Sequence, residues 1–313
     1  MHAAEARTVR GAARMAPAAV SGVLAVTIIL GLVGCGFSGN PGGDGLARAA
    51  VQVPAGEAGA APAAAGQADR PRGNPGVTAT SRIRNPGNGR LEAVVPGISN
   101  TVLLIGDSQS EPADGWPRLG LAAAGYDVYF CGRGGTGYVA ANGATGNYID
   151  ALQRGDWRLP AGTPALIVVE GGGNDAGTGA SNAQIAGNAQ RLISELQRRY
   201  PGTRLAMIGT LARGANDGGG RRSEVDTLLG AVAAANGLPF ISAGDWLTRY
   251  GLAKDLADAV HMNSGGRAAL GGILARRLRD LGLERKTPAE QAPPAVAGSG
   301  SPNQDPDQDL GQD

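Results

Sequence analysis

Short, fully apolar runs alternate with amphipathic stretches through the middle of the chain. The runs are rich in Val, Ile and Leu and have no polar face, which is typical of strands in a parallel sheet covered on both sides. The amphipathic stretches carry apolar residues at helical spacing and end near glycine or proline. The pattern predicts five strands, at residues 102–105, 127–131, 165–170, 204–210 and 239–242, and four helices, at residues 116–124, 181–199, 221–236 and 264–281.

Strand–helix alternation of this kind predicts an α/β fold in which right-handed crossovers place helices on both faces of one parallel sheet. The strand ends that lead into helices then lie on one edge of the sheet, where ligands of open α/β sheets bind. The alternating region contains no internal repeat. We therefore expect one folded domain, at residues 98–283.

The regions on either side of this domain lack the alternation. Residues 36–97 are dominated by Ala, Gly and Pro, and residues 284–313 are rich in Pro, Gln and Asp. Such sequences bury too little apolar surface to offset the entropy of an ordered chain. We expect a disordered tether before the domain and a disordered tail after it.

Residues 1–35 have the pattern of an export signal. Basic residues precede an apolar run that is short for a membrane span, and the run ends at Gly34-Cys35. A small residue before cysteine resembles the bacterial lipobox, which predicts lipidation of Cys35 and a lipid anchor at the cell envelope. An uncleaved anchor and a plain signal peptide are the alternatives. Met15 as the start would remove the basic segment, so Met1 is preferred.

Composition narrows the possible partners and chemistry. The 28 basic and 27 acidic residues nearly balance, and aromatic residues make up only 4%, so nucleic-acid binding is not expected. The two cysteines, Cys35 and Cys131, lie in regions of different character, which predicts neither a disulfide nor a metal site. Cys131 is expected to be a small buried residue. His2 lies in the export signal, so His261 is the only histidine of the mature chain.

Four loops at the ligand-binding edge carry candidate chemical groups. In chain order they are Gly106-Asp107-Ser108, residues 132–137, residues 171–175, and the segment from Asp258 to His261. A serine hydroxyl needs a base to become a nucleophile, and His261 is the imidazole available to Ser108. Asp258, three residues earlier, is placed to orient that imidazole. Backbone N–H groups of Ser108 and Gly135, with the Asn174 amide, are the candidate donors to an oxyanion.

Most of these features also have a structural interpretation. Asp107 and Ser108 are favoured helix caps, and Asn174 beside Asp175 is a common turn pair. His261 is also compatible with a simple position at a helix start. We assign Asp107 to holding the turn, and Asp175 to structure rather than catalysis.

Other interpretations concern neighbouring residues. Gly132, Gly134 and Gly137 match the spacing of a dinucleotide-binding loop, but the loop follows the second strand and lacks an acidic ribose ligand. Asp245 is a rival for orienting the histidine, although it lacks the three-residue spacing. Glu170, at the end of an apolar strand, is a candidate partner of Arg133 in the neighbouring loop.

Taken together, the four loops resemble the blocks of the SGNH (GDSL-type) hydrolase family, in the family's order. The family's Gly-Asp-Ser, glycine-rich turn, Gly-x-Asn-Asp and Asp-x-x-His blocks correspond to residues 106–108, 132–136, 172–175 and 258–261. Two positions depart from the common pattern, because Gln109 stands where many members carry Leu and Met262 where Pro is common. Asn263 is retained and can cap the last helix. The resemblance implies a flavodoxin-like three-layer α/β/α sandwich with a five-stranded parallel sheet.

The resemblance also implies ester hydrolysis through an acyl-Ser108 intermediate, with no metal and no organic cofactor. Small and polar residues around Tyr138, Tyr148 and Trp157 favour short acyl or sugar esters over long lipid chains. We expect an exported, lipid-anchored and monomeric esterase that acts on a small ester or an acylated glycan. Two alternatives remain open, an O-acyltransferase acting on envelope glycans and a non-catalytic binding lipoprotein on the same fold.

Overall fold

The computed structural model describes residues 73–286. The predicted export signal, the predicted lipidation site at Cys35 and residues 36–72 of the predicted tether lie outside the described residues, as does the predicted tail from residue 287 onward. Those interpretations stay predictions. In the described part of the chain, no helix combines the length and the hydropathy needed to cross a membrane.

Five strands form one parallel sheet, and two further strands form a separate antiparallel hairpin. The hairpin strands are β1 (Ser81–Arg84) and β2 (Leu91–Val94), and the sheet strands are β3 (Thr101–Gly106), β4 (Asp127–Gly132), β5 (Leu166–Glu170), β6 (Leu205–Ile208) and β7 (Phe240–Ile241). The sheet order is β4-β3-β5-β6-β7. This is the flavodoxin-like order, in which the first sheet strand lies between the second and the third. The predicted fold class is confirmed.

Helices cover both faces of this sheet. They are α1 (Trp116–Ala123), α2 (Tyr148–Arg154), α3 (Gly173–Gly177), α4 (Asn182–Arg199), α5 (Gly220–Ala235), α6 (Trp246–Arg249) and α7 (Ser264–Asp280). The four predicted helices are confirmed to within one residue at each end, as α1, α4, α5 and α7. Local capping explains why these boundaries were readable: Ser181 and Gln184 form a capping box at α4, and Asn263 accepts a hydrogen bond from the Gly266 N–H at α7.

The alternation of side chains along β3 separates two hydrophobic layers. Val102 and Leu104 belong to the core cluster that includes α1 and α7, whereas Leu103 and Ile105 belong to the cluster that includes α2, α4 and α5. All four side chains are completely buried. Burying an aliphatic side chain stabilises a fold by about 1.5–3 kcal/mol. The sheet therefore gains stability from both faces, and it holds the strand ends in fixed positions.

The predicted disordered tether is wrong for its last part, because residues 73–97 are ordered and contain the β1–β2 hairpin. The Ala93 N–H donates to the Leu159 carbonyl, and the Ala161 N–H donates to the Ala93 carbonyl. Ala93 and Val95 are buried. The hairpin has too few apolar residues to fold alone, so its order depends on packing against residues that are distant in the sequence. The amino-acid composition of residues 73–97 does not indicate that this packing surface exists.

The C-terminal boundary also differs from the prediction. Leu283 is completely buried, and the following Arg285 remains attached to the domain. Its backbone N–H donates to the Ala124 carbonyl, and its guanidinium donates to the Asn100 side chain. The predicted start of the tail at residue 284 therefore lies inside the ordered chain.

Candidate active site

The predicted site residues lie at the carboxyl ends of three adjacent strands. Ser108 follows β3, Gly135 follows β4 and Asn174 follows β5, and β3 is the strand that separates the other two. The chain order of the sheet reverses at this point, which is where open α/β sheets form a ligand crevice. His261 reaches the same edge from the segment just before α7. The fold therefore brings the four predicted loops together.

Ser108, His261 and Asp258 form a continuous hydrogen-bonded row. His261 Nε2 lies 2.8 Å from Ser108 Oγ, and His261 Nδ1 lies 2.8 Å from Asp258 Oδ2. With Nδ1–H donating to the carboxylate, Nε2 is left as the acceptor for the serine proton. This is the arrangement that nucleophilic catalysis by a serine requires.

Asp258 is held as a carboxylate by its own turn. The pKa of Asp258 is well below its usual range because its carboxylate accepts hydrogen bonds from the Val260 N–H, the His261 N–H and the His261 side chain. The two backbone bonds are 2.8 Å and 2.7 Å long. Asp258, whose side chain is 56% exposed, therefore stays ionised, and it fixes both the backbone and the ring of His261.

Asp107 has the structural role predicted for it, since it closes the turn that carries Ser108. Its carboxylate accepts from the Gln109 N–H at 2.9 Å, and its carbonyl accepts from the Ser110 and Glu111 N–H groups. The Ser108 N–H has no acceptor among the described residues. The turn thus presents both the hydroxyl and the backbone N–H of Ser108 to the same crevice.

The loop after β4 offers a second free backbone donor. The Gly134 N–H is taken by the Glu111 carboxylate at 2.9 Å, and the Gly137 N–H is taken by the Ala140 carbonyl. The Gly135 N–H, by contrast, has no acceptor within residues 73–286. Gly135 also has a φ of 77°, which a residue with a side chain rarely adopts. Among the three glycines considered, Gly135 alone has the free N–H that a donor to an oxyanion needs.

Asn174 lies beside the same turn, but its amide hydrogens already have acceptors. Its Nδ2 donates to Asp107 Oδ2 at 3.1 Å and to the Thr136 carbonyl at 2.9 Å. The amide therefore ties the loop after β4 and the turn after β3 to the end of β5. Asn174 can donate to an oxyanion when one of these two acceptors is exchanged for it.

Gln109, which follows the nucleophile, joins the two halves of the site. Its amide Nε2 donates to the Val260 carbonyl at 2.9 Å, and its Oε1 accepts from the Trp116 indole N–H at 3.1 Å. Gln109 is buried, so these bonds are shielded from water. The sequence marked Gln109 only as a departure from the family pattern. Its partner Val260 lies 151 positions away, and no local signal indicates that contact.

Two buried carboxyl groups lie beneath the turn. Burial raises the pKa of Asp107 to about 6, although the Gln109 N–H and the nearby positive charge of Arg222 oppose that shift. Burial, and then the negative charge of Asp107, raise the pKa of Glu170 well above its usual range. Glu170 accepts a hydrogen bond from Ser110 Oγ at 2.7 Å. The predicted pairing of Glu170 with Arg133 is wrong, because Glu170 points into the interior whereas Arg133 is exposed.

Asp175 and Asp245 have partners other than the imidazole. Asp175 is fully buried and accepts from the N–H groups of Tyr138, Val139 and Ala140 at 2.7–2.9 Å, which is the structural role expected of it. Asp245 forms an ion pair with Arg249 on α6, at 3.6 Å. The rival orienter of His261 is therefore engaged elsewhere.

The aromatic residues expected around the pocket belong mainly to the core. Tyr138 and Tyr148 are each 1% exposed and pack edge to face, with ring centroids 5.3 Å apart. The prediction that Tyr138 and Tyr148 line the pocket is wrong, because the segment that carries them folds back onto the sheet and buries both side chains. Cys131 is buried as predicted, and burial raises the pKa of its thiol.

An open recess of about 500 Å³ lies beside the loop after β4. Its wall includes Gly134, where an added Cβ would lie 3.3 Å from Ser108 Cβ. Arg133, Asn142 and Trp157 also line it. Within residues 73–286, no group of three or more His, Cys, Asp or Glu side chains is arranged to hold a metal ion. The recess therefore borders the turn of Ser108 through Gly134, and Ser108 and His261 are not among the residues that line it.

Several solved structures are similar to this chain at low sequence identity. A carbohydrate esterase family 2 enzyme from Corynascus thermopiles (Myceliophthora fergusii) is 16% identical with a TM-score of 0.46, over 62% of this chain and 70% of that one. Est24, a carbohydrate acetylesterase from Sinorhizobium meliloti, is 18% identical with a TM-score of 0.44, over 58% and 99%. An aryl esterase from M. smegmatis is 18% identical with a TM-score of 0.42, also over 58% and 99%.

The sequence matches no curated protein. It does match a family model, because residues 101–269 fit the GDSL-like Lipase/Acylhydrolase family. The matched segment is more than half of the chain, and it contains Ser108, Gly135, Asn174, Asp258 and His261. The chain therefore belongs to the GDSL-like lipase/acylhydrolase family and is an SGNH-type carboxylic ester hydrolase.

Proposed function

We propose that this protein is an exported, lipid-anchored serine esterase that hydrolyses short acyl or acetyl esters through an acyl-Ser108 intermediate. The observation that carries the proposal is the row of two 2.8 Å contacts from Ser108 Oγ through His261 to Asp258. A binding protein on the same fold has no need of this alignment, because it matters only when a proton leaves the serine hydroxyl.

In the first step, Ser108 Oγ attacks the ester carbonyl while its proton passes to His261 Nε2. The carbonyl π electrons move to oxygen, and the N–H groups of Ser108 and Gly135 donate to the resulting oxyanion. Each such donor is worth about 10²- to 10³-fold in rate in enzymes of this type. Asp258 stabilises the imidazolium that forms, because its carboxylate faces Nδ1–H.

The tetrahedral intermediate then collapses to the acyl-enzyme. The carbon–oxygen bond to the alcohol breaks, and His261 gives its proton to the departing alcohol oxygen. Water next attacks the acyl carbon with His261 as base, and release of the acid restores the Ser108 hydroxyl. Asn174 joins the donor set by exchanging the Thr136 carbonyl, one of its two acceptors, for the oxyanion.

The character of the recess supports a small acyl group. Its wall includes the charged Glu111 and Arg133 and the amide of Asn142. A long alkyl chain requires a predominantly apolar wall. The polar wall favours an acetyl or similarly short acyl group on a polar alcohol. The export and anchoring parts of the proposal rest on the sequence of residues 1–35.

Replacement of the nucleophile tests the mechanism directly. The Ser108→Ala variant should lose at least about 10³-fold in kcat on p-nitrophenyl acetate, because within residues 73–286 no other hydroxyl is hydrogen-bonded to His261. Ser99→Ala, at an exposed serine, serves as the matched control and should keep wild-type activity. A fluorophosphonate probe should label the wild type and fail to label Ser108→Ala. Undiminished hydrolysis by Ser108→Ala would reject the acyl-Ser108 mechanism, and a wild type inert to the probe would favour a binding protein.

A further inference from the structure

A second concave surface, with a volume of about 520 Å³, lies between the hairpin and the ends of two helices. Hairpin residues form one wall, and residues from the C-terminal parts of α2 and α4 form the other. We call this surface the basic groove. Its lining contains two glutamates and six arginines, which are Arg84, Arg90, Arg154, Arg158, Arg198 and Arg199. The groove is thus strongly cationic in a chain whose formal net charge is only +1.

Three of the six arginines form ion pairs with carboxylates, and the other three do not. Arg154, Arg198 and Arg199 are paired with Asp156, Glu195 and Glu92 respectively.

The other three arginines keep their positive charge uncompensated. Arg84 and Arg90 donate only to backbone carbonyls, and the Arg158 guanidinium has no hydrogen-bond or ion-pair partner among the residues that the structure describes. Uncompensated guanidinium groups in a concave surface attract an anion, and their planar geometry matches a carboxylate in particular.

The basic groove shares one residue with the recess beside the loop after β4. Trp157 lines both surfaces, and Gly134 in the recess lies against Ser108. Trp157 therefore makes the groove and the recess neighbours on the surface. The half-buried indole offers an apolar surface at this shared position, next to polar and charged groups, which suits a polymer of sugar rings.

We propose that the basic groove binds carboxylate groups of an acidic polysaccharide and presents an ester on the same polymer to Ser108. The inference deepens the proposed function and rests on it, since it names the polymer that carries the ester. The concave shape favours a polymer strand over a flat anionic bilayer, which would need arginines on a protruding surface.

Polymer charge provides the first test. Acetylated polygalacturonate carries both carboxylates and esters, acetylated glucomannan carries esters alone, and p-nitrophenyl acetate is too small to reach the groove. The double variant Arg84→Gln/Arg158→Gln should lose about three- to tenfold in kcat/KM on acetylated polygalacturonate, as expected from two partly exposed charge contacts. It should keep wild-type kcat/KM on the other two substrates. Added salt should reduce the wild-type advantage on the acidic polymer.

A matched variant controls for the loss of charge itself. Arg276→Gln/Arg279→Gln removes two arginines from α7, which packs on the opposite face of the sheet from α2 and α4. It should retain full activity on all three substrates. An equal loss in this variant, or wild-type activity of the groove variant on acetylated polygalacturonate, would overturn the proposal.

Binding without turnover separates this inference from the proposed function. The Ser108→Ala protein should be retarded by de-esterified polygalacturonate in affinity electrophoresis, and the added groove substitutions should abolish the retardation. This result is independent of whether the wild type hydrolyses p-nitrophenyl acetate, which tests the proposed function alone. Absence of retardation would overturn the groove proposal. So would groove-dependent sedimentation with phosphatidylglycerol vesicles without retardation by the polymer, which would identify a membrane surface instead.

Discussion

Two aspartates support the site of Ser108, and their surroundings differ in nearly every respect. Asp258 is more than half exposed, accepts two backbone N–H groups and the His261 ring, and has a pKa below its usual range. Asp107 is 3% exposed, accepts from the Gln109 N–H and the Asn174 amide, and has a pKa raised by burial to about 6. Asp258 is two hydrogen bonds away from the Ser108 hydroxyl, and Asp107 precedes Ser108 directly in the chain.

The difference shows how one residue type can serve two purposes in a single site. Solvent exposure and three hydrogen-bond donors keep Asp258 charged, so it can stabilise a positive imidazolium. Burial raises the free energy of the charged form of Asp107. Asp107 instead fixes the positions of two hydrogen-bond donors, the Gln109 N–H and the Asn174 amide. A substitution at Asp258 should therefore slow catalysis because it removes a charge. A substitution at Asp107 should slow catalysis because it displaces the hydrogen-bond donors that Asp107 positions.

The largest effect is expected for Asp258→Asn. The amide oxygen can still accept the Val260 and His261 N–H groups, so the turn should persist while the charge that stabilises the imidazolium is lost. We expect kcat on p-nitrophenyl acetate to fall by about 10²- to 10⁴-fold with little change in thermal stability. Asp245→Asn is the control and should leave kcat unchanged. Near-normal turnover by Asp258→Asn would show that His261 needs no ionised partner.

A smaller loss is expected for Asp107→Asn. The new amide cannot accept from both the Gln109 N–H and Asn174 Nδ2, so one of these donors is displaced. Because Asn174 belongs to the proposed donor set, kcat should fall by about 10- to 100-fold, with KM nearly constant. Steady-state kinetics would measure this split. A rise in KM at constant kcat would instead assign Asp107 to substrate binding.

Gln109→Leu should have a more modest effect on rate. Leucine cannot donate to the Val260 carbonyl, so the His261 segment loses its tie to the turn of Ser108, and we expect kcat to fall by about three- to tenfold. The Trp116 indole N–H also loses its acceptor, which should lower the free energy of unfolding by about 1–3 kcal/mol. Gln197→Leu, on the exposed surface of α4, is the control. Fluorophosphonate labelling rates would report the alignment of Ser108 and His261, and an unchanged labelling rate would contradict the positioning role.

The smallest effect, and one that depends on pH, is expected for Glu170→Gln. A buried carboxyl with a raised folded-state pKa binds its proton more tightly when folded, so its contribution to stability is present at low pH and is lost as pH rises through the folded pKa. Glutamine has no proton to lose, and its amide oxygen can still accept from Ser110. Denaturant unfolding should therefore give similar stabilities near pH 5 and a more stable variant near pH 8. An equal loss at both pH values would show that packing, not ionisation, dominates at Glu170.

The sequence was informative where local interactions decide the outcome. The β3 strand was readable because Val102 to Ile105 is apolar on both faces, and α7 was readable because Asn263 caps it. The Asp258–His261 pair was readable because three-residue spacing in a tight turn brings a carboxylate to its own backbone and ring. In each case the partners lie within a few positions of one another.

The sequence was misleading where order depends on a distant surface. Residues 73–97 resemble a flexible linker in composition, yet they fold against Leu159 and Val128. Tyr138 and Tyr148 resemble pocket residues, yet they are buried as a pair against the sheet. Burial is a property of the assembled layers, so neither outcome could be inferred from neighbouring residues.

By itself, the sequence determined the α/β architecture, the family motifs and the candidate nucleophile, base and orienter, because hydrophobic periodicity and short spacings encode them. Only the tertiary structure decided which donors are free and which are occupied. Glu111 takes the Gly134 N–H, whereas the Gly135 N–H has no acceptor among the described residues, and Gln109 is bonded to Val260, 151 positions away. The basic groove likewise exists only because the hairpin packs beside α2 and α4. Contacts between distant segments depend on how the chain packs, and no local pattern specifies them.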